Sequence, residues 1–140
     1  MLQAEFATPT RETVSYFALE EPMPSVLDTG SGEAQVYALL APAVGLKAGF
    51  HQTGPQADPD EPGTPDEAIA ERTAAWVARR FPRAGARLRS ETCLYTTRAN
   101  DEFLLERRGR VVVGSPCSGH GFKFAPAVGA RLAALAAEAL

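Results

Sequence analysis

Short segments in which apolar and polar residues alternate with a period of two occur along much of the chain, and this pattern is typical of half-buried β-strands. It predicts strands at residues 13–19, 35–40, 46–51, 87–97, 102–106 and 110–115. Residues 41–45 would form the turn between the second and third strands, and Arg107-Arg108-Gly109 would form the turn between the fifth and sixth. The pattern therefore indicates two antiparallel hairpins. Residues 20–32, which hold prolines and glycines, are predicted to be a connection.

Two other segments carry apolar residues at helical spacing. The first follows Thr64, Pro65 and Glu67, which are predicted to act as N-cap, first-turn proline and capping-box acid, and it ends before Pro82. Its buried stripe is predicted to hold Ile69, Thr73, Trp76, Val77 and Arg80. The second helix opens at Pro126, and its stripe is predicted to hold Val128, Leu132, Leu135, Ala136 and Leu140.

The succession of these elements predicts an α+β fold. A mixed, mostly antiparallel sheet would carry one packed helix, and a strand, a glycine loop and a helix would follow it. The 11 prolines and 12 glycines disfavour a helical bundle. The length of 140 residues, with 45% hydrophobic and 22% charged residues, fits about one domain with a packed core.

The net charge and the lengths of the apolar segments indicate which kinds of partner the chain does not bind. The formal net charge of -3 removes the general attraction on which non-specific nucleic-acid binding depends, so we expect no nucleic-acid partner. No apolar run approaches the roughly 20 residues that cross a bilayer, and the first residues lack the pattern of a signal peptide, so we expect a cytoplasmic protein without a membrane partner. The two cysteines have no CxxC spacing, and we expect neither a disulfide nor a metal site.

The third predicted strand would present a cation, a gap and an imidazole on one surface. Because alternate side chains of a strand share a face, Lys47, Gly49 and His51 would point the same way. A glycine in that position lets a flat ligand approach the sheet closely. The alternative is an ordinary amphipathic strand whose polar face is solvated.

The fourth predicted strand places Cys93 and Tyr95 two residues apart and therefore on one face. The pair would present a nucleophilic sulfur beside a phenol. Cysteine is also among the residues most often buried and inert, so the alternative is that Cys93 is a small core side chain.

A glycine-rich loop lies between the last predicted strand and the second helix. Gly119 and Gly121 permit close approach of the backbone and a positive φ, and Lys123 adds a positive charge near a helix N-terminus. This combination is typical of a site for an anion or a polarised carbonyl. The alternative is a tight turn with a solvated lysine, and the spacing matches neither GxGxxG nor GxxxxGK(S/T).

Three motifs occur in an order and at distances that resemble the carboxy-terminal part of the monomeric sarcosine oxidase family. They are LKAGFH at residues 46–51, CLYT at residues 93–96 and SGHGFKF at residues 118–124. This family of FAD-dependent amine oxidases includes N-methyltryptophan oxidase and pipecolate oxidase. The resemblance covers nearly the whole chain and is most specific between about residues 45 and 135.

The resemblance implies an activity and the residues that carry it. The reaction would be two-electron oxidation of a secondary amine, such as sarcosine or another N-methyl or cyclic amino acid, to an imine, with oxygen reoxidising the flavin and yielding hydrogen peroxide. Lys47 matches a catalytic lysine that promotes the reaction of reduced flavin with oxygen, and His51 matches a catalytic histidine. Tyr95 matches a tyrosine of the substrate cavity, and Lys123 matches a group that holds the substrate carboxylate.

The resemblance also implies how FAD would be held. Cys93 matches the cysteine that carries the flavin through a thioether at its 8α position. The loop that passes the pyrimidine edge of the flavin corresponds to Gly119, His120, Gly121, Phe122 and Lys123. Backbone donors and the helix dipole would favour the anionic reduced ring there.

Parts of the family's pattern have no match in this sequence. It holds no GxGxxG motif for the ADP half of FAD, so we expect a truncated copy, a split-gene half or a fragment that works with a separately encoded FAD-binding chain. Residues 1–110 would form the substrate-binding and flavin-attachment domain, and residues 111–140 the strand, loop and helix that join the FAD-binding domain. Tyr37 lies one residue too close to Lys47 to be assigned the role of the family's other cavity tyrosine.

Two other functions are compatible with the same residues. The chain could be an inactive binding or interaction module that retains the sheet for small carboxylates or a partner protein. It could also be a thiol catalyst, with Cys93 or Cys117 as nucleophile and His51 or His120 as base. Thiol catalysis would leave Tyr95 without an evident role.

Overall fold

The computed structural model describes residues 7–30 and 34–138. Within these residues the chain has the predicted α+β fold with mostly antiparallel strands. The elements are β1 (Thr8–Phe17), β2 (Val26–Asp28), β3 (Val36–Ala41), β4 (Gly45–Phe50), α1 (Glu67–Arg80), β5 (Arg87–Thr97), β6 (Leu104–Arg108), β7 (Val111–Ser115) and α2 (Ala125–Ala137). Neither helix has the length and apolar character needed to cross a membrane.

The chain divides into two compact units, each of which is described by itself. Thr10–Leu94 form the first, here called the sheet unit, and the described residues 7–9 and 95–138 form the second, here called the hairpin unit. The boundary falls inside β1 and inside β5. The expected division between residues 110 and 111 concerns the parts of a longer enzyme and stays a prediction.

A five-stranded sheet in the order β2-β3-β4-β1-β5 is central to the sheet unit. The predicted hairpin of β3 and β4 is confirmed, with Tyr37 opposite Gly49 and Leu40 opposite Leu46. Its turn needs a glycine, because Gly45 has a φ of +125° and a Cβ there would lie 2.4 Å from the carbonyl oxygen of Phe17. The predicted connection missed β2, which pairs with β3 over only three residues.

Strand β1 pairs antiparallel with β4, and β5 lies on its other side. The backbone N–H of Gly85 donates to the carbonyl of Ala18, and farther along the chain the hydroxyl of Ser90 lies 2.9 Å from that of Ser15. Residue 85 thus lies beside residue 18, and residue 90 lies beside residue 15. Since the residue numbers rise along one segment and fall along the other, the two segments run antiparallel.

One face of the sheet packs against α1. The core consists of Phe17, Val36, Ala38, Leu46, Ala48, Phe50, Trp76 and Val77. Trp76 is therefore a core residue, and its indole N–H donates to the Asp28 carboxylate on β2 over 3.1 Å. Leu46, Ala48 and Phe50 occupy alternate positions of β4, so the residues between them face away from the helix.

The start of α1 differs from the sequence prediction. Asp66, rather than Thr64, is the N-cap, since its carboxylate accepts a hydrogen bond from the N–H of Ile69 over 3.1 Å. The N–H of Asp66 in turn donates to the hydroxyl of Thr13 over 2.9 Å, which fixes the cap against β1. Glu67 is consequently the first helical residue and not the capping-box acid.

The buried positions of α1 also differ in part from the predicted stripe. Thr73, Trp76 and Val77 are buried as expected, but Ala70 is fully buried in place of Ile69, and Arg80 is exposed. The helix ends at Arg80 with Phe81 as C-cap, which confirms the predicted stop before Pro82.

The hairpin unit contains the predicted pair of β6 and β7, with Glu106 opposite Val113. Helix α2 packs against both strands and buries Val128 and Leu135. A Cβ at Gly114 of β7 would lie 2.7 Å from a methyl carbon of Leu132, so the helix approaches the hairpin closely. Leu140, predicted at the end of this stripe, lies outside the described residues.

Candidate functional site

The sheet face opposite α1 carries Lys47, and we call it the Lys47 face. Lys47 lies in the middle of β4 and pairs with Tyr16 of β1. Its ammonium nitrogen lies 5.9 Å from the centre of the Tyr16 ring, within the range of a cation–π contact. The side chain is half-buried, so the alternative of a simply solvated lysine does not describe it.

Tyr16 is held in place by two charged residues of β5. Its hydroxyl donates to the Glu91 carboxylate over 3.0 Å, and the Arg89 guanidinium lies 4.0 Å from the ring centre. Arg89 also donates to Glu91 over 2.8 Å. These hydrogen bonds, from Arg89 first and then from Tyr16, lower the pKa of Glu91, with a smaller contribution from the charge of Lys47.

Cys93 lies on the same face, because it follows Glu91 by two residues in β5. The residue is exposed, so the alternative of a small core side chain is wrong. Partial burial of the thiol raises the pKa of Cys93, the charge of Lys47 lowers it, and the charge of Glu12 raises it. The structure thus places Lys47 and Cys93 on one face of the same sheet.

The raised pKa of Cys93 predicts the pH dependence of its alkylation, since partial burial, together with the charge of Glu12, raises this pKa more than the charge of Lys47 lowers it. In a Cys117→Ser background, where Cys93 is the remaining thiol, the rate with iodoacetamide should rise with pH and reach its midpoint above that of free cysteine, because only the thiolate reacts. Lys47→Met should move the midpoint still higher, since the ammonium favours the thiolate. The matched change Lys123→Met should leave it unchanged, because the charges that act on Cys93 are those of Lys47 and Glu12. A Cys93 midpoint below that of free cysteine would contradict this assignment.

The gap predicted at Gly49 is filled by this chain's own tyrosine. A Cβ at Gly49 would lie 3.0 Å from the Tyr37 hydroxyl and 3.3 Å from its ring carbon. Gly49 therefore gives room to Tyr37, and the expectation that it admits a flat ligand is wrong. The cross-strand pairing of Tyr37 with Gly49, which puts both on one face, explains the contact.

His51 follows the last residue of β4 and is half-buried. Its backbone N–H donates to the carbonyl of Gln35 over 2.8 Å, which extends the pairing of β3 and β4 by one step. The backbone therefore places His51 at the end of the strand that carries Lys47.

The hairpin unit brings Tyr95 and the glycine loop together. Gly119 has a φ of +74°, and a Cβ there would lie 2.3 Å from a ring carbon of Tyr95. The preceding Ser118 is buried, has a φ of +69°, and donates its N–H to the carbonyl of Thr96 over 2.8 Å. The predicted close approach of the backbone at Gly119 is confirmed, and its partner is the Tyr95 ring.

The change Gly119→Ala should displace Tyr95. Left-handed backbone costs a residue other than glycine about 1–2 kcal/mol, and the overlap with the ring adds about 1–3 kcal/mol. We expect the free energy of unfolding from urea titration to fall by about 3 kcal/mol. Gly129→Ala, where a Cβ meets no atom within 4 Å, is the matched control and should not destabilise the protein. Equal unfolding free energies for the two variants would show that the close approach is absent.

The rest of the loop is ordered by its own contacts. His120 donates from Nδ1 to the carbonyl of Ser118 over 2.8 Å, and its ring stacks on Phe103 with the centres 5.2 Å apart. The Lys123 ammonium donates to the carbonyl of His120 over 3.2 Å and is exposed. Phe122 is 95% exposed.

Gly121 has an ordinary helical φ of −71°. A Cβ there would nevertheless lie 1.8 Å from the carbonyl oxygen of Pro116, so the close backbone approach predicted for this glycine is confirmed. The predicted site residues thus form two groups, one with Lys47 and Cys93 in the sheet unit and one with Tyr95 and Lys123 in the hairpin unit.

Comparison with known proteins identifies relatives of the chain. A sequence model of the FAD-dependent oxidoreductase family matches residues 5–135. A monomeric sarcosine oxidase from Bacillus sp. (strain NS-129) is 34% identical over an alignment of 99 positions, which covers 66% of this chain and 26% of that protein. A monomeric sarcosine oxidase from Streptomyces avermitilis is 31% identical over an alignment of 114 positions, which covers 73% of this chain and 29% of that protein.

A peroxisomal sarcosine oxidase from Homo sapiens is 45% identical over an alignment of 42 positions, which covers 28% of this chain and 11% of that protein. The chain spans about a quarter of the length of the bacterial relatives that it matches.

Proposed function

Because the chain belongs to the FAD-dependent oxidoreductase family and is related to sarcosine oxidases, we propose that it is the carboxy-terminal portion of an amine-oxidising flavoenzyme. The proposed substrates are secondary amines, such as sarcosine and other N-methyl or cyclic amino acids, and the proposed products are an imine and hydrogen peroxide. The observation that carries the proposal is the Lys47 face, where Lys47 of β4 and the exposed Cys93 of β5 lie on one side of the same sheet.

Cys93 and Lys47 on this face have the chemistry that attachment and reduction of a flavin require, although Tyr37 takes the space over Gly49. A thioether requires a thiol that a ligand can reach, and Cys93 is exposed on the surface opposite the core. An electron-rich ring is stabilised by a nearby cation, and Lys47 supplies one whose position is supported by the Tyr16 ring.

Bound FAD would accept two electrons from the amine and pass them to oxygen. Lys47 would hold positive charge at the place where negative charge develops during that transfer. Lys123 would bind the substrate carboxylate, and Tyr95 would line the cavity in which the substrate lies. Cys93 would anchor the flavin, and His51 would contribute a polar group at the end of β4.

The role of Lys123 predicts a loss of affinity for carboxylates. In the assembled flavoprotein, Lys123→Ala should raise the Kd of a carboxylate-bearing competitive inhibitor by about tenfold or more, which corresponds to a charge-assisted hydrogen bond of about 1.5–3 kcal/mol. The spectral change of the flavin on titration gives the Kd. An amine inhibitor without a carboxylate is the control and should bind both proteins alike. Unchanged affinity for the carboxylate would remove Lys123 from the substrate site.

The proposed function is tested by assembly. The chain is expressed with a separately encoded chain that carries a GxGxxG FAD-binding motif, and peroxide release is measured with a panel of secondary amines. Amine-dependent peroxide that requires both chains is the expected result. If the chain is colourless and binds amino acids unaided, and no assembly releases peroxide, the proposed enzyme function is wrong and the chain is a binding module.

A further inference from the structure

Glu12 of β1 is a buried carboxylate, with 1% of its surface exposed, to which the proposed function assigns no role. One of its oxygens accepts hydrogen bonds from the backbone N–H of Thr53 over 2.9 Å and from that of Gly54 over 2.8 Å. Its other oxygen accepts one from the Thr10 hydroxyl over 2.6 Å. Three donors therefore compensate the burial of this group, and two of them belong to the turn that follows His51.

That turn is fixed on both sides of the two amides. His51 is bonded through its N–H to Gln35, and Gln52 adopts a φ of +54°. Gly54 lies against β1 so closely that a Cβ would be 2.1 Å from the carbonyl oxygen of Arg11. The N–H of Arg11 donates to the carbonyl of Pro55 over 2.9 Å. The Glu12 carboxylate thus accepts hydrogen bonds from residues 53 and 54, in the middle of the turn that begins at His51.

We propose that Glu12 is a positioning residue for His51, and that it acts through the two hydrogen bonds to the turn and not through its charge. This inference rests on the proposed function only for the importance of His51. Holding residues 53 and 54 to β1 restricts the backbone torsions of residues 51 and 52, which direct the imidazole. A strained residue such as Gln52 needs this support, since its left-handed backbone is costly for residues other than glycine.

Two conservative variants separate hydrogen-bond geometry from charge. Glu12→Gln removes the charge, but the amide oxygen can accept both backbone N–H groups, and the Thr10 hydroxyl can rotate to accept from the new NH₂ group. Glu12→Asp keeps the charge but withdraws the carboxylate by one methylene, about 1.5 Å, from the N–H groups of Thr53 and Gly54. Neither change opens a cavity as large as that left by alanine.

The experiment uses the 140-residue chain without cofactor, with isotope-labelled histidine and amides, at a pH of about 8 where an ordinary imidazole is neutral. The chain has two histidines, so the ring resonances of His51 report the effect and those of His120 serve as the internal control. Hydrogen exchange of the Thr53 and Gly54 amides reports the bonds themselves. The indole N–H resonance of Trp76, which is bonded to Asp28, reports that each variant is folded.

We expect Glu12→Asp to accelerate exchange of the two amides by about tenfold, the effect of one lost hydrogen bond, and to move the His51 ring resonances. Glu12→Gln should leave the exchange rates of the two amides and the His51 ring resonances close to those of the parent chain. The reverse order, with Gln disturbing His51 and Asp leaving it unchanged, would show that charge is responsible. Faster exchange in Glu12→Asp with unmoved His51 resonances would show that Glu12 stabilises the turn but does not position His51. Either result would overturn the inference, and neither depends on flavin binding or amine oxidation.

Discussion

Replacing Cys93 with serine is expected to leave all of the flavin extractable when the assembled protein is precipitated with acid. The serine hydroxyl is far less acidic and less nucleophilic than a thiol, so no covalent bond to the flavin should form. Cys93 is itself exposed on the Lys47 face, so a ligand can reach it. The measurement is the ratio of flavin absorbance in the supernatant to that in the precipitate.

The second cysteine provides the matched control. Cys117 is partly buried, and its sulfur lies 3.0 Å from the Ser115 hydroxyl in the hairpin unit. Cys117→Ser should leave the flavin in the precipitate, as in the parent protein. Flavin that stays in the precipitate after Cys93→Ser would exclude Cys93 as the point of attachment.

Replacing Lys47 with methionine is expected to slow the reaction of the reduced protein with oxygen by about 10²- to 10³-fold, the usual effect of losing one group that stabilises developing charge. Methionine has a similar length and keeps the packing against Tyr16, so the change removes charge with little loss of volume. Reduction by the amine should change much less. Stopped-flow absorbance measures the two half-reactions separately.

Lys123→Met is the control for the loss of a lysine, because the proposed role of Lys123 is substrate binding. It should weaken amine binding without slowing reoxidation of a protein that is already reduced. An equal slowing of both half-reactions in Lys47→Met would show that Lys47 supports the structure of the site and does not promote the reaction with oxygen.

The regular elements were predictable because each has a local signal. Residues 87–97 alternate well enough to predict a strand, and β5 covers those residues. β2 was missed because three residues among prolines and glycines give no period, and its pairing with β3 is a tertiary contact. The N-cap was misplaced because Thr64 and Asp66 are both good caps by residue type, and the choice depends on the contact of Asp66 with Thr13.

The candidate site was predictable only in part. Alternation placed Lys47 on one face of a strand, but it did not show that Tyr37 lies across from Gly49 and takes the space above it, since that depends on the register between strands. The supporting cluster of Tyr16, Arg89 and Glu91 was missed for the same reason. The signal available in the sequence was Glu12 and Tyr16, two polar side chains whose spacing puts them on one face of β1, and the structure buries both.

The position of the flavin on the Lys47 face is tested most directly by mapping the residue that carries it. Trypsin cleaves after Arg89 and Arg98, which releases Cys93 in residues 90–98, whereas Cys117 is released in residues 111–123. Mass spectrometry of the digested, assembled protein should find the added mass of FAD, or of its flavin fragment, on residues 90–98. Flavin found on residues 111–123, or on neither peptide of a protein that oxidises amines, would contradict the account.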